Sequence, residues 1–240
     1  MGRKALTIGL SLLLAGAALA AAEDNPNKLS LGLSYLATSG NSSSQSGGLD
    51  FLYKHSFDPW GLEVAANYLR AEQDGKLTAK KLFGSVRGTR ALDADFAVFA
   101  SLSYLQDQFA GLDPRLLAAG GVNYKFLKGP EHVLGFDVGL TWTRDDLVGD
   151  GSTSYAGGLA AAHYLWNVTK TAKVTEDLAF YPSFKQGSDW RVESMAGVQA
   201  AMSTSVALKL SWGFRYANRP VPGFGKTDTQ TAVSLVVNFQ

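Results

Sequence analysis

The chain has 240 residues, 46% of them apolar, with no cysteine and 22 basic residues set against 21 acidic ones. The missing cysteines exclude a disulfide framework and thiolate metal sites, and the even charge balance offers no footprint for a nucleic acid. Beyond the N-terminal segment no run is apolar for the roughly 20 residues a spanning helix needs, which argues against a helical membrane protein.

The first element in chain order reads as an export signal. Arg3 and Lys4 precede an apolar run from Ala5 to Ala20, broken only by Thr7, Gly9, Ser11 and Gly16. Ala18-Leu19-Ala20 and Ala20-Ala21-Ala22 both fit the small-x-small pattern of signal peptidase. The expectation is a signal peptide over 1–22 and a mature chain over 23–240, opening on Glu23-Asp24-Asn25 with 20 basic and 21 acidic residues. An uncleaved anchor helix fits less well, because the run is short and no stop-transfer flank follows.

From about Lys28 onward the ruling pattern is alternation, the period at which side chains leave opposite faces of a strand. Leu29, Leu31, Leu33 and Tyr35 are set against Ser30, Gly32 and Ser34. Leu134, Phe136, Val138, Leu140 and Trp142 are set against Gly135, Asp137, Gly139 and Thr141. The clearest segment is Val206, Leu208, Leu210, Trp212, Phe214 and Tyr216, interleaved with Ala207, Lys209, Ser211, Gly213 and Arg215. About twelve such segments follow one another, at 28–38, 46–56, 60–71, 77–90, 94–108, 115–126, 132–145, 153–166, 172–184, 189–202, 205–217 and 227–239. The stretches 47–52 and 156–162 are rich in Gly and Ala and assign to either face. Ten or more residues is the length of a tilted membrane-spanning strand, whereas a soluble sandwich of this size uses shorter ones. Aromatics gather near segment ends, as Tyr53, Tyr68, Tyr104, Tyr124, Trp142, Tyr164, Trp166, Trp190, Tyr216 and Phe239, where rings sit between lipid tails and water.

The predicted fold class is therefore all-β: an antiparallel transmembrane β-barrel of about twelve strands, closed because an open sheet edge is intolerable in hydrocarbon. Glycine-rich polar loops are expected after odd segments, at 39–44, 72–75, 111–114, 145–153, 186–189 and 217–227, and tighter links after even ones. With an even strand count and both termini periplasmic, the first set faces the exterior. The ending Val237-Asn238-Phe239-Gln240 is similar to the closing strand read by the barrel-assembly machinery, although Gln240 follows the aromatic.

Alternation places Asp50, Lys54, Glu63, Arg87, Lys125, Asp137, Asp177, Arg191, Glu193, Lys209 and Arg215 toward the lumen. Both signs are represented, so these residues either knit into a salt-bridged plug or line a narrow pore; scaffolding pairs are the plainer alternative. Eight strands leave a filled interior and sixteen a water channel, and twelve lies between. Asp145, Asp146 and Asp150 read as a solvated acidic outer loop rather than a Ca²⁺ site, since no EF-hand pattern accompanies them.

Nothing indicates an enzyme. His55, His132 and His163 lack the neighbouring serine of an outer-membrane phospholipase site, for Phe57, Leu134 and Leu165 stand two residues on. There is no G-x-S-x-G elbow and no H-E-x-x-H pair. Gly223-Phe224-Gly225-Lys226-Thr227 mimics a phosphate loop only superficially, as Pro220 occupies the leading glycine position and a strand follows. No cofactor and no metal is expected.

Two stretches carry a family resemblance. Thr38-Ser39-Gly40-Asn41-Ser42 resembles the T-x-G-N-[ST] loop of the salt-induced outer-membrane proteins typified by YdiY, a family of unknown function. Tyr104, Asp107 and Phe109, then Asp113 and Arg115, then Gly120 and Tyr124, resemble that family's downstream block, with Ala119 and Gly121 departing from its glycine spacing. The resemblance covers nearly all the mature chain and implies an outer-membrane barrel with no known substrate and no catalytic residues to carry over. A monomeric envelope protein of the cell outer membrane, in contact with lipid and lipopolysaccharide, is the expectation from the barrel reading itself. A narrow pore for ions or small solutes is the first functional expectation, a structural or adhesive module displaying loops the second, and an outer-membrane hydrolase the third.

Overall fold

The two-residue rhythm builds twelve strands: β1 Asn27–Thr38, β2 Ser44–Phe57, β3 Trp60–Gln73, β4 Lys76–Ala91, β5 Phe96–Asp107, β6 Leu112–Lys128, β7 His132–Leu147, β8 Ser152–Asn167, β9 Ala172–Pro182, β10 Trp190–Ala201, β11 Val206–Ala217 and β12 Thr227–Phe239. The computed structural model describes residues 26–38, 44–149 and 151–239. The signal peptide expected over 1–22 lies outside the described residues, as do Gly40, Asn41 and Asp150.

Every strand pairs antiparallel with its sequence neighbours, and β1 pairs with β12 to close the ring. The seam runs from Leu29 opposite Phe239 to Leu33 opposite Leu235, and Ser30 Oγ donates to Asn238 Oδ1 across it at 2.7 Å. Closure gives each edge a partner, the condition hydrocarbon imposes. The Gly/Ala-rich stretches belong to full-length strands, β2 and β8, whose partners set their register.

Burial is inverted relative to a water-soluble protein. Leu33, Val138 and Leu140 on the outer wall are 60–66% exposed, whereas Lys81, Asp137 and Glu193 inside are 1–2% exposed. The outer wall is built to meet lipid. A charge there costs about 2–4 kcal/mol at the bilayer midplane, which explains why alternation confines ionised groups to the lumen. Aromatic girdles mark both ends. Near the chain termini Phe96, Tyr124, Phe126 and Phe136 form a chain of ring contacts at 4.8–6.4 Å, and at the opposite, far end Phe180, Trp190 and Tyr216 do the same at 5.2–6.0 Å.

Three connections differ from expectation. The 72–75 loop is a two-residue turn, because Asp74 and Gly75 both take left-handed φ values of 49° and 72° and so match the twist of the flanking strands. Leu112, Asp113 and Pro114 belong to β6 rather than to a loop, following a short 3-10 turn over Gln108–Ala110. Asp145 and Asp146 lie within β7, so the expected acidic loop does not form; Asp145 is drawn inside by an arginine. At the terminal end, the β4–β5 turn is held by Asp93, which accepts from the amides of Asp95 and Phe96. Those two bonds keep its carboxyl below the ordinary range.

The loop joining β11 to β12, residues 218–226, does not stand up from the barrel. In a ring of twelve strands it starts six strands from the β5–β6 turn, diametrically opposite. Yet Val221 packs on the cluster of Phe83, Leu105 and Leu112. A Cβ added at Gly111 would fall within 2.8–2.9 Å of Phe224 and Val221. The loop thus crosses the far mouth as a roof.

Candidate functional site

Inside the ring the side chains fall into a packed half and an open half. Strands β4–β9 supply the apolar filling, Phe99, Leu117, Leu159, Ala179 and Tyr181 among them. The remaining strands carry Gly, Ser, Ala and Asn inward and, with the first half of β9, leave a cavity of about 260 Å³ toward the terminal end, edged by Asp50, Lys54, Asp177 and Lys209. A second cavity, of about 230 Å³, lies at the far end beneath Val221 and above Tyr181, Arg191 and Arg215.

Beside the terminal-end cavity stands a cluster of ionised groups that shares Asp177 with its lining. Asp137 is its hub: Arg87 Nη1 lies 2.8 Å from Oδ2 and His163 Nε2 3.3 Å from the same oxygen, while Asn123 Nδ2 donates to Oδ1 at 2.7 Å. His163 Nδ1 meets Asp177 Oδ1 at 2.7 Å. The imidazole therefore bridges two carboxylates. The Arg87 guanidinium also covers the Phe99 ring at 3.9 Å, a cation–π contact strengthened by exclusion of water.

Nearer the far end, Arg115 grips Asp145 in a two-pronged pair, Nε to Oδ1 at 2.6 Å and Nη2 to Oδ2 at 2.7 Å. Arg191 Nη1 donates to the Tyr155 hydroxyl at 3.3 Å and its guanidinium lies over Tyr181 at 4.2 Å. Glu193 is shared, with Arg191 Nε at 3.4 Å and Arg215 Nε at 3.9 Å from its Oε1. Lys81 and Asp107 face each other at 3.9 Å.

All eleven residues placed inward by alternation carry the inward parity. Lys54 pairs with Glu63 at 2.5 Å. Asp50 accepts from Asn67 at 2.6 Å, and Lys209 lines the terminal-end cavity. Lys125 follows the parity of Asn123 at the terminal rim, opposite Gly135. Arg87, Asp137, Asp177, Arg191, Glu193 and Arg215 converge on the two ionic groups just described.

Sequence reasoning missed Lys81 and Tyr155 as lumen groups, and assigned Asp145 to a loop. A signal was present for Lys81: stepping back by twos from Arg87 through Ser85 and Phe83 reaches it. The adjacent Lys80 obscured the step.

The motif residues shape the β5–β6 corner. Asp107 Oδ1 accepts from the Ala110 amide at 3.1 Å, capping the 3-10 turn. Asp113 accepts from Gln106 and Gln108 at 2.6 and 2.5 Å. Arg115 and Asp107 enter the lumen network, Asp107 by facing Lys81. Tyr104 and Gly120 face outward, Phe109 is exposed beside the turn, Tyr124 joins the aromatic girdle, and Thr38 ends β1.

A closed antiparallel ring with an apolar exterior and an ion-paired interior defines this chain as a transmembrane β-barrel of the type found in outer membranes. The family model described as "Protein of unknown function, DUF481" matches residues 31–239, and the chain belongs to that family. "Uncharacterized protein YdiY" of Escherichia coli (strain K12) is 26% identical over 219 residues, covering 90% of this chain and 84% of that protein. Among solved structures, the translocator domain of the autotransporter NalP from Neisseria meningitidis is similar with a TM-score of 0.49 and 8% identity, over 91% of this chain and 89% of that one. The NanC porin is similar with a TM-score of 0.47 and 10% identity, over 88% and 97% respectively.

Proposed function

We propose that this protein is a monomeric outer-membrane pore, narrow and strongly gated by charge, that passes ions and small solutes. The observation that carries the reading is the lumen itself. A barrel needs no ionised interior to stand in a bilayer, yet this one holds a cavity toward each end, both edged by charges of both signs. Ion-paired groups around Asp137 and Glu193 fill the interior beside these spaces, and on this reading their rearrangement is what joins the two. On this reading the termini face the periplasm, the roofed mouth faces the exterior, and insertion runs through the barrel-assembly machinery into a lipid and lipopolysaccharide leaflet. The salt-linked setting that the resemblance implies belongs to the same proposal. No catalytic step is assigned: His163, the histidine a lipase would need at the lipid face, points inward between two carboxylates.

The expected result is discrete conductance steps from refolded protein in planar bilayers, small in size and dependent on voltage. Silence across a range of salt and voltage would overturn the pore. The roof over the far mouth favours a second reading, a closed envelope module displaying its loops. Loop deletions that abolish a surface phenotype while leaving conductance unchanged would favour that reading.

A further inference from the structure

The far-end cavity gathers an excess of positive charge, with Arg115, Lys185, Arg191, Arg215 and Arg219 in its lining against Asp145, Asp189 and Asp228. Three guanidinium groups line it, those of Arg115, Arg191 and Arg215, from β6, β10 and β11. All three residues are more than nine-tenths buried, at 8, 6 and 6% exposure. Each keeps an N–H without a hydrogen-bond acceptor among the described residues: Arg115 Nη1, Arg191 Nε and Arg215 Nε. A buried cationic donor left unmatched costs more than an ordinary hydrogen bond gains, so such groups point to a ligand.

The protein's own acids meet these guanidinium groups as ion pairs without satisfying every N–H. Asp145 takes the Nε and Nη2 edge of Arg115, which turns Nη1 away from it. Glu193 is a single carboxylate between two guanidinium groups, and neither of its oxygens reaches hydrogen-bond geometry. At the rim, Lys185 and Arg219 add two further cations against Asp189 and Asp228. The roof of Val221 and Phe224 holds bulk water off this group, and Coulomb attraction strengthens where water is excluded.

We propose that the far-end cavity is a binding site for a small oxyanion, of carboxylate or phosphate chemistry, held by Arg115, Arg191 and Arg215 beneath the 218–226 loop. The planar fork of arginine suits both groups, since paired N–H donors match paired oxygens. This deepens the pore reading by naming the class of solute, and it is tested apart from conduction.

Full-length mature protein refolded in detergent is titrated calorimetrically with citrate, with inorganic phosphate and with glucose as a neutral control. Saturable binding of the anions and none of glucose is expected. Arg215→Gln should weaken anion binding by about tenfold or more, the effect of one lost charge-assisted hydrogen bond. Glu193→Gln should strengthen it, because the internal carboxylate that competes for the same donors is gone; a purely structural triad predicts no gain. Lys170→Gln, on an exposed turn at the other end, should leave it unchanged. If Arg215→Gln does not fold, Arg219→Gln on the roof loop replaces it, with a severalfold loss expected. Absence of saturable heat from both anions, or equal affinity in wild type and folded Arg215→Gln, overturns the site. A barrel that conducts without binding overturns this site and leaves the pore, and one that binds without conducting does the reverse.

Discussion

Arg115 and Asp145 show what a single residue costs and contributes inside this barrel. Both are more than nine-tenths buried and joined by two short bonds. Desolvating them offsets much of their mutual attraction, so the pair adds little net stability, but breaking it strands a charge. Asp145→Asn should therefore destabilise the barrel by about 3–5 kcal/mol, read as a shift in the urea midpoint of the detergent-folded protein. Replacing both partners by apolar residues of similar volume should recover most of that loss, and a single variant as stable as wild type would show the pair to be well hydrated. The role of these residues was only partly legible in the sequence. Arg115 stood in a motif and Asp145 looked like a loop acid, because nothing local says that β7 continues to Leu147 and brings Asp145 opposite Arg115.

The element scale is governed by how closely strands approach. At the β6–β7 pair, Gly121 faces Gly139, and a Cβ on either would come within 2.2–2.4 Å of a carbonyl oxygen on the partner strand. Real Cβ atoms do not tolerate such distances, so the two glycines set the spacing of this pair by having no side chain. Gly84, on β4, has nothing within 4 Å of its would-be Cβ. Gly121→Ala should therefore lower the yield of folded barrel severalfold, seen as loss of the heat-modifiable band on gels, while Gly84→Ala should leave it intact. Equal yields would show that β6 and β7 can separate at no cost. Alternation alone does not separate these cases, since both glycines occur in segments of the same rhythm. The difference lies in cross-strand register, which only pairing decides.

For the whole molecule, the governing feature is the reversal of inside and outside. Lipid takes the place of the core for the outer leucines, each of which gains roughly 1.5–3 kcal/mol on leaving water. The interior is then free to hold charge and to be incompletely filled. The 218–226 loop converts that interior from an open tube into a roofed vestibule by seating Val221 and Phe224 against Gly111 and Leu112. A Val221→Ala, Phe224→Ala double variant should raise single-channel conductance at least about twofold, because the apolar seal between opposite rims is removed and loops of this kind open on local free energies well below global stability. Unchanged conductance, with the variant folded, would place the restriction in the ionic cluster around Asp137 instead.

The amino-acid order by itself determined the strand number, the strand bounds to within a few residues, and which face of each strand holds charge. Those properties follow from a period of two and from the cost of polar groups in hydrocarbon, both of which act along the chain. Only the tertiary structure decided which charges meet, that His163 bridges Asp137 and Asp177, and that a loop on one rim closes on the opposite one. Those contacts join residues many strands apart, and their distances depend on ring closure and register rather than on any local pattern.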